Sequence, residues 1–228
     1  MTKHIPIEVF TSVWWIGLLS SLFTIIVILV ALKGKSNQVK SYSSYLFALL
    51  FSLMYVITNV ISIKNNTWNL LQNLPFQICY ISFIIGVIVL INKKQWMFEW
   101  MVFIATIGGL YSILTPVLTI GTSAWFYFEF YFLHTSIIFV PLYLHNIHNM
   151  RCRFDSWWKT LLRVQIPIVL LLIFNSLTGA NYMFLIEKPT VNNIFLIGEW
   201  PYYVIIINLV VVGHVYLINK FIVSQQNL

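Results

Sequence analysis

The sequence predicts an all-α fold: a polytopic membrane helix bundle of about seven transmembrane helices, N-terminus out and C-terminus in, with residues 1–228 forming one integral membrane domain. Three observations carry this. Sixty per cent of the 228 residues are hydrophobic and 8% are charged, whereas ordinary soluble domains carry about 25% charged residues. The apolar residues fall in long runs, and about 20 helical residues at 1.5 Å rise cross a hydrocarbon core of about 30 Å. The basic residues between the runs are segregated to alternate loops, as topology in a bilayer demands.

The runs are Phe10–Leu32, Tyr42–Ile63, Phe76–Ile91, Met97–Leu114, Trp125–Asn146, Thr160–Gly179 and Pro201–Ile222. The first is about 23 residues, too long for a signal-peptide core of about 7 to 15, and no small-residue cleavage site follows it, so it stays as a helix. The third and fourth are short, and the charges decide that both belong. With seven segments, one set of loops holds Lys33, Lys35, Lys40, Lys93, Lys94, Arg151, Arg153, Lys159, Arg163 and Lys220, while the other keeps only Lys3, Lys64 and Lys188. Removing either short segment scrambles that separation. The positive-inside bias puts the ten-residue set in the cytoplasm.

The net charge of +7 is accounted for by these loops and does not form one basic patch, so no nucleic-acid partner is expected. Tryptophans crowd the segment ends (Trp14, Trp15, Trp96, Trp125, Trp157, Trp200) as interfacial anchors do. The two cysteines, Cys79 near the outer face and Cys152 in an inner loop, cannot meet as a disulfide on this topology. No internal repeat of the kind found in many secondary transporters is evident.

Polar groups inside a bilayer cost several kcal/mol unless satisfied, so their positions are informative. Cys79, Ser82 and Gly86 share one stripe of the third segment, a small-residue face of the kind that meets a neighbouring helix. Cys79 therefore points inward, either as a small packing residue or as a nucleophile. On the fifth segment His134, Pro141, His145 and His148 recur along one line, placing His134 about 14 Å deep. A metal site at His145-x-x-His148 lacks further ligands, so neither a metal nor any other cofactor is expected. Gln77, Thr115, Glu129, Asn175, Asn181, Glu187 and Glu199 gather toward the outer half as a polar pocket.

A cysteine with a histidine in reach can take an acyl group from an ester as a thioester and pass it to a second nucleophile. In a membrane the natural ester is a lipid, and Gln77 or Asn175 would orient the imidazole or hold an oxyanion. Depth is the difficulty, because counting from the helix starts leaves Cys79 and His134 about 9 Å apart along the normal. A transporter or substrate-binding membrane subunit, with a polar pocket and no covalent chemistry, is the alternative reading.

LPFQIC (Leu74–Cys79), the FEFYFLH run ending at His134, NSLTGANYMFLIEKP (Asn175–Pro189) and GEWPYY (Gly198–Tyr203) together resemble the YwaF-type bacterial membrane proteins, related to the transmembrane protein 164 lipid acyltransferase family. The resemblance implies a multi-pass acyltransferase of the bacterial cytoplasmic membrane, acting on phospholipid or lyso-lipid substrates. It implies Cys79 as nucleophile with His134 as the catalytic histidine, and a binding set of Gln77, Asn175, Asn181, Tyr182, Glu199 and Trp200. Two departures stand out: many chains of this type carry a histidine at the position of Gln77 and a proline at that of Glu199. The stretch Asn181–Pro189 has the mixed character of an interfacial lid.

Overall fold

The computed structural model describes residues 5–118, 123–189 and 196–223. All seven apolar runs are helical. The first three spans are α1 (Ser12–Leu32), α2 (Asn37–Lys64) and α3 (Ile78–Asn92). The fourth combines α4 (Gln95–Trp100), a π-helical turn (Met101–Ala105) and α5 (Thr106–Leu114). Then come α6 (Ala124–His148), α7 (Ser156–Thr178) and α8 (Tyr202–Ile218), the last closing in a second π turn, Asn219–Val223. Among the described residues six spans are long and apolar enough to cross a membrane, and α3, at 15 residues, is the short one.

Local sequence sets the ends. Thr11 and Ser36 cap α1 and α2 by accepting from the Trp14 and Val39 N–H groups. Gly179, at φ +74°, ends α7 in the left-handed conformation that a residue without Cβ adopts freely. Alternation of the loops is visible in their contacts. At the N-terminal face, β1 (Ile5–Pro6) pairs antiparallel with β2 (Val117–Leu118), and Leu70 and Leu74 meet Tyr182. At the opposite face Glu99 meets Arg153, and Ser44 meets His148. The loops carrying the basic cluster therefore share one face; Lys3 lies outside the described residues.

α6 is the central helix and the most buried of the long spans, whereas α8 is the least buried of them. Its neighbours approach through small residues, as helices in lipid do. The ring of Tyr131 lies over Gly17 of α1, only 2.0 Å from where a Cβ would stand. The Thr135 hydroxyl then donates to Ser21 at 2.7 Å. Against α2 and α3 the contact is aromatic: Phe47, Phe51, Phe83, Phe139 and Tyr143 interlock edge-on, tilted or stacked.

One carboxylate is fully covered. Glu99, with no side-chain exposure, accepts from Arg153 Nε and Nη2 (both 2.8 Å), from the Arg153 N–H and from Gln95. This bidentate pairing clamps the α6–α7 loop onto the fourth span. Two of the tryptophans are structural parts of the core. Trp14 donates to the Leu114 carbonyl and Trp100 to Ser82, both from buried positions.

Candidate functional site

Cys79 lies in the first turn of α3, half-buried, with its Sγ 3.9 Å from Ser112 Oγ of α5. A Cβ placed on Gly108 would stand 3.5 Å from the same sulfur. The sulfur thus sits in a notch made by a glycine and a serine one turn apart on the fourth span. Ser82 and Gly86, the rest of the inward stripe, are buried against that span too, through Trp100 and Met101.

His134 is buried on α6, and its Nδ1–H donates to the Phe130 carbonyl one turn back at 2.7 Å. A carbonyl can only accept, so Nδ1 carries the proton and Nε2 the free lone pair, the form a general base requires. The Phe130 ring covers the imidazole at 4.3 Å between centroids. The backbone carbonyl of His134 is 3.1 Å from where a Cβ of Gly109 would stand.

Consecutive glycines of α5 therefore touch the two candidates, Gly108 the Cys79 thiol and Gly109 the His134 backbone. One residue of helix is about 1.5 Å of rise. The thiol and the backbone of His134 thus meet neighbouring levels of α5, closer than counting from the helix starts suggests. Among the described residues no hydrogen bond joins the thiol and the imidazole, and each side chain keeps the partner named above.

The polar residues expected to bind substrate mostly hold loop backbone. Asn175, 1% exposed, clamps Tyr182 by accepting from its N–H (3.0 Å) and donating to its carbonyl (2.9 Å). The Tyr182 hydroxyl donates to the Leu70 carbonyl and accepts from the Leu74 N–H, pinning the α7–α8 loop to the segment before α3. Gln77 Oε1 accepts from the Met183 N–H at 2.9 Å, pointing toward that loop. Asn181 holds the backbone at Ile186 and Glu187. Glu199 pairs with Lys188, and Trp200 donates to the Leu185 carbonyl. The result is a strapped cover at the N-terminal end of α3, with Met183 and Phe184 both held at positive φ. Residues 190–195 of this loop lie outside the described residues.

The other histidines among the described residues have separate partners. His145 meets Arg151, His148 meets Ser44 and Tyr143, and His214 uses both nitrogens, toward Val210 O and the Tyr111 hydroxyl. Cys152 is a free thiol, as is Cys79, and it is buried beside the Glu99 clamp. Its thiol is pushed up to about 12, first by burial and then by the Glu99 charge, with Arg153 pulling the other way. Flanking arginines alone suggest a lowered value; burial outweighs them.

The residue reading missed Ser112, Gly108 and Gly109, and the partnership of Tyr80 with Glu129, whose carboxylate accepts the phenol proton at 3.0 Å. An adjacent pair of glycines inside an apolar run was the available signal for close helix approach.

No curated protein and no solved structure gives a significant match. A family model described as the TMEM164 family does match, over residues 8–219. That stretch runs from the approach to α1 into the final π turn and takes in every span, the Cys79 notch and His134, so this multi-pass membrane protein belongs to the TMEM164 family.

Proposed function

We propose that this chain is a membrane acyltransferase that moves a fatty acyl chain between membrane lipids through a thioester on Cys79. The observation that carries the reading is the Gly108–Gly109 pair, which sets an inward thiol and the backbone of a buried histidine, whose Nε2 is free, against successive residues of one helix. Family membership and the lipid-facing surround support it.

In this reading the Cys79 proton passes to His134 Nε2, and the thiolate attacks the ester carbonyl of a phospholipid. The ester C–O bond breaks, the departing lyso-lipid oxygen takes the proton back from the imidazole, and the acyl group stays on sulfur. A lyso-lipid acceptor then gives its hydroxyl proton to Nε2 and attacks the thioester. The C–S bond breaks, and the protonated imidazole restores the thiol. The Ser112 hydroxyl beside Sγ supplies a donor for the thiolate, and a water-poor surround favours transfer over hydrolysis. Gln77 is not the base here, since its side chain binds Met183. The setting is a cell membrane, with the basic face cytoplasmic and the strapped cover outside.

The test is acyl transfer in lipid nanodiscs from a labelled phospholipid to a lyso-lipid, comparing wild type with Cys79→Ala and His134→Gln. Transfer lost in both folded variants supports the proposal. Equal transfer in wild type and Cys79→Ala, or none in wild type across several donors, returns Cys79 to packing.

A further inference from the structure

Between α2, α3 and α6, near the N-terminal face, lies a small cavity whose lining residues with polar groups are Tyr55, Thr58, Tyr80 and Glu129, and whose walls include Met54, Phe83 and Phe132. Its volume is about 10 Å³, room for one water-sized particle. Glu129 is about 7 Å along α6 from Ala124, and Thr58 about 9 Å along α2 from Lys64, so both are below the helix ends.

Two polar groups there are left over. Glu129 Oε1 accepts from the Tyr80 hydroxyl at 3.0 Å, but its second oxygen has no hydrogen-bond partner among the described residues. Nor does Glu129 form an ion pair: the salt bridges in the described residues are Arg153–Glu99, Lys159–Asp155 and Lys188–Glu199. Thr58, 5% exposed, has a buried Oγ1 with no partner. Ser62, one turn further along α2, is left in the same way, whereas Ser43, Ser44 and Ser52 of that helix donate to carbonyls one turn back. A carboxylate at this depth with no countercharge is costly, and so is an orphaned hydroxyl.

We propose that this cavity is a binding site for one small monovalent cation of the sodium class, held by the Glu129 carboxylate and the Thr58 and Tyr80 oxygens. The donor set is all oxygen, which selects a hard cation. A single carboxylate matches a single charge, whereas calcium and magnesium sites draw on more negative charge from carboxylates or phosphates. Tyr80 can serve both roles at once, since its proton is directed at Glu129 and its lone pairs remain. The ion neutralises Glu129, takes up the Thr58 oxygen and ties three helices together. The site is independent of Cys79, so failure of the acyl-transfer reading leaves it untouched.

The experiment is equilibrium binding of radiolabelled sodium to the purified full chain in nanodiscs, with choline chloride holding ionic strength constant. The expected result is one saturable site per chain, displaced by unlabelled sodium but not by choline, abolished in Glu129→Gln and weakened roughly tenfold or more in Thr58→Val. Thermal unfolding gives a second readout: sodium raises the wild-type midpoint saturably and leaves that of Glu129→Gln unchanged. No saturable sodium binding by wild type, or binding undiminished in Glu129→Gln, overturns the proposal and leaves a neutral carboxyl with one water. If Glu129→Gln does not fold, wild-type binding and its loss in Thr58→Val decide.

Discussion

The Gly108–Gly109 pair can be tested one glycine at a time, because a methyl group has opposite consequences at the two positions. On Gly109 a Cβ would stand 2.7 Å from Ile138 Cγ1, 3.1 Å from Ile137 Cγ1 and 3.1 Å from the His134 carbonyl. Carbon atoms rest at about 3.5 to 4.0 Å, so α5 and α6 must separate by most of an ångström. Overpacking of that kind costs about 1 to 3 kcal/mol, offset by about 1 kcal/mol of helix propensity when glycine becomes alanine. On Gly108 the contact is the Cys79 sulfur at 3.5 Å, ordinary van der Waals distance. Gly108→Ala therefore keeps the propensity gain, up to about 1 kcal/mol, while closing the notch around the thiol. The assays are thermal unfolding in detergent and the rate of maleimide labelling at Cys79 in a Cys152→Ala background. Gly109→Ala is expected to melt below wild type. Gly108→Ala is expected to melt at or above it, with labelling and acyl transfer slowed. A Gly109→Ala protein as stable as Gly108→Ala, or a Gly108→Ala thiol labelled at the wild-type rate, refutes this geometry.

Three further outcomes follow from the other contacts. Folding holds the Cys152 thiol protonated up to about 12, so that stability is present in full below the unfolded pKa of about 8.5 and is lost as pH rises toward 12. The wild-type midpoint should therefore fall over that window more steeply than that of Cys152→Ala, and parallel curves count against a buried thiol. Glu99→Gln replaces charge-assisted bonds to Arg153 by neutral ones and should cost about 1 to 3 kcal/mol, with non-additivity in a double-mutant cycle with Arg153→Ala. Additive effects refute the clamp. Asn175→Ala orphans the buried N–H and carbonyl of Tyr182, worth about 1 to 3 kcal/mol each, and should open the α7–α8 loop to limited proteolysis before global unfolding. Unchanged cleavage shows that the clamp does not hold the cover.

The spans were legible because hydropathy acts along the chain, and each run becomes a helix close to its expected bounds: Trp125–Asn146 becomes Ala124–His148, for example. The inward faces of Cys79 and His134 were also legible, since small or polar stripes avoid lipid. Pairings between helices were not. They depend on rotational phase, and one residue of boundary error turns a helix by about 100°. Hence Cys79 could be turned inward from its stripe, yet Ser112 and Gly108 could not be named as its neighbours. Asn175 and Asn181 belong to the outer-half polar set, and the resemblance adds Tyr182 to them as a binding residue. Their positions beside Gly179 and a turn-rich stretch also suit local backbone capping, and Asn175 and Asn181 make such bonds in the fold.

Phase also explains the break in the fourth span. At 100° per residue, an unbroken α-helix would rotate Gly108 about 80° away from Trp100. Trp100 is fixed toward α3 by its bond to Ser82, so in such a helix Gly108 would face elsewhere and a larger surface would meet Cys79. The π turn at Met101–Ala105 accommodates roughly one extra residue, which removes about 100° of rotation and leaves the two positions within about 20° of one line. Gly108 then follows Trp100 and Met101 down the same antiparallel contact, opposite Ser82, Gly86 and finally Cys79. Gly109, one residue further round, turns to α6 and meets His134. A single irregular turn thus lets one helix be anchored on α3 by a tryptophan and still present its two glycines to different neighbours. It is this re-phasing, more than any residue type, that turns one glycine to the thiol and the next to the backbone of His134.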